Sequence, residues 1–167
     1  ARAESGQIPL KFVAIDLGEL AASLVDQLEP VAHARSIELR CDPLPAVVAL
    51  GDAGWLERLL LNLLDNAIKF TPEGGCVVVR VSRDGERARL DVADTGVGMT
   101  PEVAAHVFER FYQADPSRSG TGGAGLGLSL VKWIVDRHHG TITINSQPEH
   151  GSTFSVTLHG VAGHNRS

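Results

Sequence analysis

Residues 61–71 read LNLLDNAIKFT, and this stretch determines what the sequence predicts about fold and site. Apolar residues recur here and just upstream at helical spacing, which predicts an amphipathic helix with one buried face. The helix is expected to begin after Asp52, a good N-cap, and to end at Thr71 because Pro72 follows. The buried stripe consists of Leu56, Leu59, Leu60, Leu63, Leu64 and Ala67.

The other side of this helix is polar in a specific way. Asn62, Asn66 and Lys69 fall at i, i+4 and i+7, so they share one face. Two uncharged amides followed by a lysine suit phosphate oxygens and a divalent cation. An ordinary helix with a hydrated polar face would carry similar residues, so this stretch alone leaves both interpretations open.

Composition limits the class of protein. With 167 residues, 43% of them hydrophobic, the chain is long enough for one globular domain with its own core. A net charge of -5 argues against nucleic acid as a partner. No apolar run reaches the roughly 18 residues of a membrane span, so no direct membrane contact is expected. Cys41 and Cys76 lie far apart in strand-like runs, which favours two buried free thiols over a disulfide.

The order of the remaining elements predicts an α+β fold, with one mixed sheet and helices on a single face. A helix should open at Asp16 and reach about Arg35, a short one should follow Pro101, and a third should end at His139, stopped by Gly140. Histidines 138 and 139 suit that helix C-terminus better than a metal site. Strands are predicted over residues 37–41, 46–50, 76–81, 88–93, 141–145 and 152–159.

Residues 94–99 read DTGVGM at the end of a predicted strand. The carboxylate of Asp94 can accept a hydrogen bond from the amino group of adenine, whereas guanine presents a carbonyl at that place. Gly96 and Gly98 would let the backbone lie against a flat ring. Taken alone, the pattern is common in turns.

A polar, glycine-rich segment over residues 113–123 predicts a long loop of functional or disordered character. Residues 120–125 satisfy G-x-G-x-x-G, but no strand precedes them and no acidic residue stands about twenty positions on, which argues against a dinucleotide fold. A P-loop motif is absent. A glycine-rich loop that leads into a helix still offers backbone N–H groups to an anion.

Taken together, these motifs resemble the catalytic ATP-binding domain of two-component sensor histidine kinases, with its N, G1, F, G2 and G3 boxes. The resemblance extends from about Asp16 to Leu158. The boxes occur in the family's order, as N-x-x-x-N-A-x-K-F-T at 62–71, D-T-G-x-G at 94–98, VFERF at 107–111, G-x-G-L-G-L at 123–128 and GSTF at 151–154.

The resemblance implies the Bergerat fold: a two-layer α/β sandwich, its mixed β-sheet covered by helices on one face, with a flexible ATP lid. The implied cofactors are ATP and Mg²⁺. Residues 1–15 would be the end of a preceding dimerisation helix and a linker, residues 16–160 the catalytic domain, and residues 161–167 a disordered tail. The implied location is the cytoplasm, including the cytoplasmic portion of a membrane-anchored sensor.

Site roles follow from the same resemblance. Asn66 would hold Mg²⁺ with Asn62 beside it, Lys69 would contact phosphate, and Phe70 would flank the adenine whose amino group Asp94 binds. Catalytic roles are implied for Asn62, Lys69 and Arg110. The implied nucleotide contacts are Asn62, Asn66, Lys69, Phe70, Asp94, Gly96, Gly98, Met99, Arg110, Arg118, Gly123, Gly125, Leu126, Gly127 and Leu128.

Within that set the lid contributes three kinds of contact. Arg118, together with Arg110, is a candidate for the γ-phosphate. The glycines at 123, 125 and 127 would cradle phosphates through backbone N–H groups, and the leucines at 126 and 128 would pin the loop to the core.

The residue type at position 62 distinguishes a kinase from an ATP hydrolase in proteins of this fold. In Hsp90, DNA gyrase and MutL, which are ATPases of this fold, a glutamate stands four residues before the metal-binding asparagine, and here Asn62 cannot take a proton. No H-E-[LF]-R-T-P acceptor motif is present, and His33 lies in an unrelated context. We therefore expect γ-phosphoryl transfer to a histidine on a dimerisation domain absent from this chain, with a response-regulator receiver domain downstream and no autophosphorylation by the chain alone.

Two alternatives remain open at the level of sequence. One is a serine/threonine kinase-like regulator of the same superfamily, of the anti-sigma-factor type. The other is a nucleotide-dependent docking module without catalysis.

Overall fold

The computed structural model describes residues 8–42, 46–110 and 127–161. Seven strands and four helices are assigned within these ranges. They are β1 (Val13–Asp16), α1 (Leu17–Ala34), β2 (Glu38–Cys41), β3 (Val48–Gly51), α2 (Ala53–Lys69), β4 (Cys76–Asp84), β5 (Arg87–Asp94), α3 (Pro101–His106), α4 (Gly127–Arg137), β6 (Thr141–Ser146) and β7 (Ser152–His159).

Five of the strands form one mixed sheet in the order β2-β4-β5-β7-β6. Strand β2 is parallel to β4, and the other neighbours are antiparallel. Strands β1 and β3 form a separate antiparallel pair, which a bridge between Ala49 and Gly160 joins to the end of β7. The predicted mixed sheet is confirmed.

The helices form the second layer. Helix α2 buries its leucine stripe completely, and the valines of β4 at 77, 79 and 81 face the same core. On the opposite side of the sheet β4 and β5 present charged residues such as Arg80 and Asp91. The two-layer sandwich follows from this alternation, because only one face of the sheet is apolar.

Helix α2 begins after Asp52 as predicted and ends at Lys69, two residues before the predicted end at Thr71, and both ends have local reasons. The carboxylate of Asp52 accepts a hydrogen bond from the backbone N–H of Trp55 (3.1 Å), which caps the helix. At the other end Phe70 is the C-cap, and the hydroxyl of Thr71 donates to the carbonyl of Ala67 (2.7 Å). These two bonds set where α2 begins and ends.

Some element boundaries differ from the prediction. Strand β1 lies within the segment interpreted as a linker, where it pairs with β3, a partner distant in sequence. Strands β4 and β5 continue through the pair Asp84 and Arg87, which leaves a tighter turn than the sequence indicated. The expected tail begins at Val161, whose N–H donates to the carbonyl of Val48 (2.9 Å). Residues 162–167 lie outside the described part.

The end of α4 also differs. The helix ends at Arg137, and His139 rather than Gly140 adopts the left-handed conformation, with φ of 56°. The N–H of Gly140 reaches back to the carbonyl of Val135 (3.0 Å), a bond typical of the Schellman motif. The glycine therefore completes the cap without being its left-handed residue.

Both cysteines are free thiols, as predicted, although each is partly rather than fully buried. Across the described ranges, no cluster of three histidine, cysteine or acidic side chains is placed to hold a metal ion. Within these ranges, no helix has the length and apolar character needed to cross a membrane.

The buried side chain of His138 connects the C-terminal end of α4 to the N-terminal end of α2. Its Nε2 accepts from the backbone N–H of Asp52 (3.0 Å), and its Nδ1 therefore carries the proton and donates to the carbonyl of Ile134 (2.8 Å). Phe12 stacks on the ring at 5.0 Å, and the neighbouring Lys11 donates its N–H to the carboxylate of Asp52 (2.8 Å). The histidine is thus held in one neutral tautomer.

This arrangement predicts acid sensitivity of the fold. Burial lowers the pKa of His138, against smaller opposing effects from the Ile134 hydrogen bond and Asp52, while Arg137 and His139 lower it further. In the unfolded chain the group titrates near pH 6.5, so below about that pH the unfolded state takes up a proton that the folded state does not. We therefore expect the free energy of unfolding to fall as the pH drops through this value.

Urea unfolding between about pH 5.5 and 7.5 tests this expectation. His138→Gln should flatten the pH dependence in that window, whereas His33→Gln, at an exposed position on α1, should leave it unchanged. An unaltered slope in the first variant would mean that His138 is not the titrating group.

Candidate nucleotide-binding site

The polar face of α2 forms one wall of the candidate site. Asn62, Asn66 and Lys69 are all partly buried there, as the helical spacing predicted. The ammonium of Lys69 pairs with the carboxylate of Asp65 at 3.0 Å. An exposed i,i+4 pair contributes only about 0.3–0.5 kcal/mol, so Lys69 can leave this partner for a more highly charged phosphate.

Asp94 forms the second wall, at the end of β5. Its Oδ1 accepts two backbone N–H bonds, from Gly96 (2.8 Å) and from Ser152 (3.3 Å). Burial raises the pKa of Asp94, and the two N–H bonds oppose that rise. Among the described residues, nothing bonds to Oδ2. That second oxygen is therefore available to accept a hydrogen bond, on a carboxylate that the two N–H bonds hold in place.

Between these walls runs the loop of residues 95–99. The N–H of Val97 donates to the carbonyl of Phe70 (3.2 Å), which ties the loop to the end of α2. A Cβ atom at Gly96 would overlap that same carbonyl oxygen. Gly98 has φ of 70°, and a Cβ atom there would overlap the carbonyl oxygen of Gln147. Both glycines are thus required by close backbone contacts.

Met99 is the last residue of this loop, and Phe70 lies beside the loop at the end of α2. Met99 is partly buried against the core, and its N–H donates to the hydroxyl of Ser146 (2.8 Å). The Phe70 side chain is 37% exposed. It borders a pocket of about 350 Å³, which is lined by Arg35, Lys69, Phe70, Thr71, Pro72, Glu73 and Val97. Asp94 does not line this pocket, which therefore lies beside the predicted adenine position.

The remaining predicted ligands belong to the F and G2 boxes. Arg110 is exposed and ends the described segment 46–110. Gly127 opens α4 at the surface, and Leu128 packs against the core as expected. Arg118, Gly123, Gly125, Leu126 and the expected lid lie outside the described residues.

Sequence reasoning missed two residues that contact this site. Ser152 belongs to the GSTF motif but had no assigned role, and it donates its N–H to Asp94. Ser146 carried no motif signal at all. Its position becomes visible only through the pairing of β6 with β7, which sets Ser146 opposite Ser152.

A comparison with known protein families now decides the class. The profile of the histidine kinase-, DNA gyrase B- and HSP90-like ATPases matches residues 51–161, which include both walls of the site. The chain belongs to this family. The family and the fold predicted from the sequence motifs are both confirmed.

Individual relatives narrow the class further. The chain is 38% identical over 145 residues to the sensor-like histidine kinase SenX3 of Mycobacterium tuberculosis, covering 86% of this chain and 35% of that protein. The structure of full-length ShkA in complex with AMPPNP superposes with a TM-score of 0.80 at 35% identity, over 92% of this chain and 32% of ShkA. The structure of the mycobacterial sensor histidine kinase MprB superposes with a TM-score of 0.74 at 34% identity. This match covers 90% of this chain and 98% of the MprB chain.

Within the family, the chain is therefore a catalytic domain of the sensor histidine kinase type. It spans about a third or less of the length of the curated relatives it matches.

Proposed function

We propose that this domain binds Mg·ATP and transfers its γ-phosphoryl group to a histidine on a dimerisation domain. The observation that carries the proposal is the environment of Asp94. One carboxylate oxygen is fixed by two backbone N–H groups, and the other is left to accept the amino group of adenine. The complex of the related ShkA with AMPPNP supports an adenine nucleotide as the ligand.

Asn66 is the proposed Mg²⁺ ligand, with Asn62 beside it. Mg²⁺ usually keeps several waters and binds through one or two protein oxygens together with substrate phosphates. A partly buried amide, without an acidic cluster in the described ranges, fits an ion that arrives with the nucleotide. When bound, the ion would neutralise charge on the phosphates.

The proposed roles of the other residues are to bind and orient the substrate. Lys69 moves from Asp65 to a phosphate oxygen, and Phe70 covers the adenine. Arg110 and Arg118 bind the γ-phosphate, while the glycines of the G2 box contact phosphates through their N–H groups. Phosphoryl transfer requires little more than such positioning and charge neutralisation.

A kinase is favoured over a hydrolase because position 62 lacks a base. A general base would have to activate water for hydrolysis, and the nearest carboxylate in sequence, Asp65, directly precedes Asn66 and therefore points roughly 100° away from it around the helix. The proposed partners are therefore a dimerisation domain that carries the acceptor histidine and, after it, the receiver domain of a response regulator. The proposed location of the domain is the cytoplasm.

Calorimetric titration with a non-hydrolysable ATP analogue tests the nucleotide and metal assignments together. We expect Mg²⁺ to increase the affinity of the wild-type chain. Asn66→Ala should remove most of that increase, a loss of about ten- to a hundredfold, since losing a contact to a charged group costs roughly 1.5–3 kcal/mol. Glu57→Ala, on the exposed face of α2, is the matched control.

The same preparations test the transfer step. With labelled ATP, we expect no acid-labile phosphate on the chain alone and labelling of a dimerisation domain supplied in trans. A metal titration unchanged by Asn66→Ala would refute the metal assignment. Label on the isolated chain would refute the proposed acceptor.

A further inference from the structure

The ends of three neighbouring strands form one row beside the candidate adenine site. Asp94 of β5 is paired with Ser152 of β7, and Ser152 is paired with Ser146 of β6. The row is polar from end to end, whereas most of the sheet face under the helices is apolar. We propose that Ser146, at the far end of this row, is a positioning residue for adenine recognition, an inference that rests on the proposed nucleotide function.

The hydroxyl of Ser146 uses its complete hydrogen-bonding capacity. Three groups lie within bonding distance of Oγ: the N–H of Met99 (2.8 Å), the carbonyl of Gly151 (3.0 Å) and the hydroxyl of Ser152 (2.8 Å). A serine hydroxyl has one proton and two lone pairs. Because the carbonyl can only accept, Ser146 donates to Gly151 and accepts from both Met99 and Ser152. No capacity remains for a different arrangement.

This single hydroxyl is connected to both ends of the segment from Asp94 to Met99, which we call the adenine loop. Asp94 begins the loop and is held through the N–H of Ser152, while Met99 ends it and is held by Ser146 directly. Gly96 and Gly98 lie between these two anchors, and glycine leaves the backbone its widest freedom. Without the bond to Ser146, the C-terminal end of the loop would lose its direct hydrogen bond to the sheet.

The turn between β6 and β7, residues 147–151, also contacts this loop. The N–H of Glu149 donates to the carbonyl of Val97 (2.6 Å), and Gln147 lies against Gly98. Ser146 immediately precedes this turn, so its bonds to Gly151 and Ser152 also close the turn across its base. Ser146 therefore acts on Met99 directly and on Asp94 through Ser152, and it need not touch the nucleotide itself.

Removing the hydroxyl should weaken adenine binding more than it weakens the fold. For Ser146→Ala we expect the affinity for an ATP analogue to fall about two- to tenfold, the range for losing one neutral hydrogen bond. The preference for the ATP analogue over the GTP analogue should narrow as well, because Asp94 is less well oriented. Ser146→Thr keeps the hydroxyl and should restore both values.

The matched control lies on the same strand. The hydroxyl of Thr141 bonds to that of Thr157 across the same pair of strands, but at the opposite end of β6. Thr141→Ala should alter thermal stability without altering affinity or the ratio of ATP to GTP binding. If Ser146→Ala does not fold, Ser146→Cys keeps a similar volume with a much weaker donor and acceptor, and it should show the same narrowing of base preference.

Calorimetric titration of these variants with both analogues, together with thermal unfolding, decides the inference. Wild-type affinity and base preference in a folded Ser146→Ala or Ser146→Cys variant would overturn it, provided that Asp94→Asn loses binding. Equal binding by the wild type and Asp94→Asn would instead overturn the proposed function. The two failures are therefore distinguishable.

Discussion

Asp94→Asn is expected to weaken binding of an ATP analogue about ten- to a hundredfold. A hydrogen bond to a charged group contributes roughly 1.5–3 kcal/mol, and this substitution does more than remove the charge. Both backbone N–H groups donate to Oδ1 of Asp94, so an asparagine would place its carbonyl oxygen there. Its amide N–H₂ would then face the amino group of adenine, and two donors would oppose each other.

The same geometry predicts a change in base preference. Guanine presents a carbonyl oxygen where adenine presents its amino group, and the new amide can donate to it. We therefore expect the preference for the ATP analogue over the GTP analogue to fall in Asp94→Asn. Calorimetric titration with both analogues in the presence of Mg²⁺ measures this directly.

Stability separates this effect from unfolding. Because burial raises the pKa of Asp94, the fold disfavours its ionised form. Replacing the carboxylate by a neutral amide that keeps the N–H bonds should leave the free energy of unfolding undiminished. Asp91→Asn, on the same strand but paired with Arg89 on the open face, should retain ATP binding. Undiminished ATP affinity in Asp94→Asn would show that Asp94 does not bind the base.

The parts of the fold that the sequence predicted are those with local causes. The start of helix α2 was predicted, and its end was predicted to within two residues, because the N-cap Asp52 and the following Pro72 lie close to these boundaries. Its polar face follows from helical periodicity, so Asn62, Asn66 and Lys69 were placed together without knowledge of the sheet.

The parts that were missed depend on partners distant in sequence. Strand β1 is only four residues long and is held by β3, so its own pattern is too short to identify. The end of α4 was misplaced by two residues because His139, not the glycine, takes the left-handed conformation. The contribution of Ser146 arises from the register between β6 and β7, which periodicity within a strand does not determine.

Gly98→Ala is expected to destabilise the domain and the site together. Gly98 has φ of 70°, a region that costs an ordinary residue roughly 1–2 kcal/mol. The new methyl group would also overlap the backbone oxygen of Gln147. A backbone atom cannot rotate away as a side chain can, so the loop or the turn has to move. We expect the total loss to exceed the conformational penalty alone.

Gly74→Ala provides the matched control. Gly74 has φ of 91°, yet a Cβ atom there would meet nothing within 4 Å. It should therefore show only the penalty of about 1–2 kcal/mol for the left-handed conformation. Urea unfolding of the two variants isolates the contribution of the backbone contact as the difference between them.

Nucleotide titration extends the comparison to function. Gly98 lies between Asp94 and Met99, so a displaced loop should also lose adenine binding, whereas Gly74→Ala should bind the ATP analogue like the wild type. Equal losses of stability in the two variants would mean that overlap with the backbone of Gln147 does not lower the free energy of unfolding. Wild-type binding in a destabilised Gly98→Ala variant would mean that this loop does not shape the adenine site.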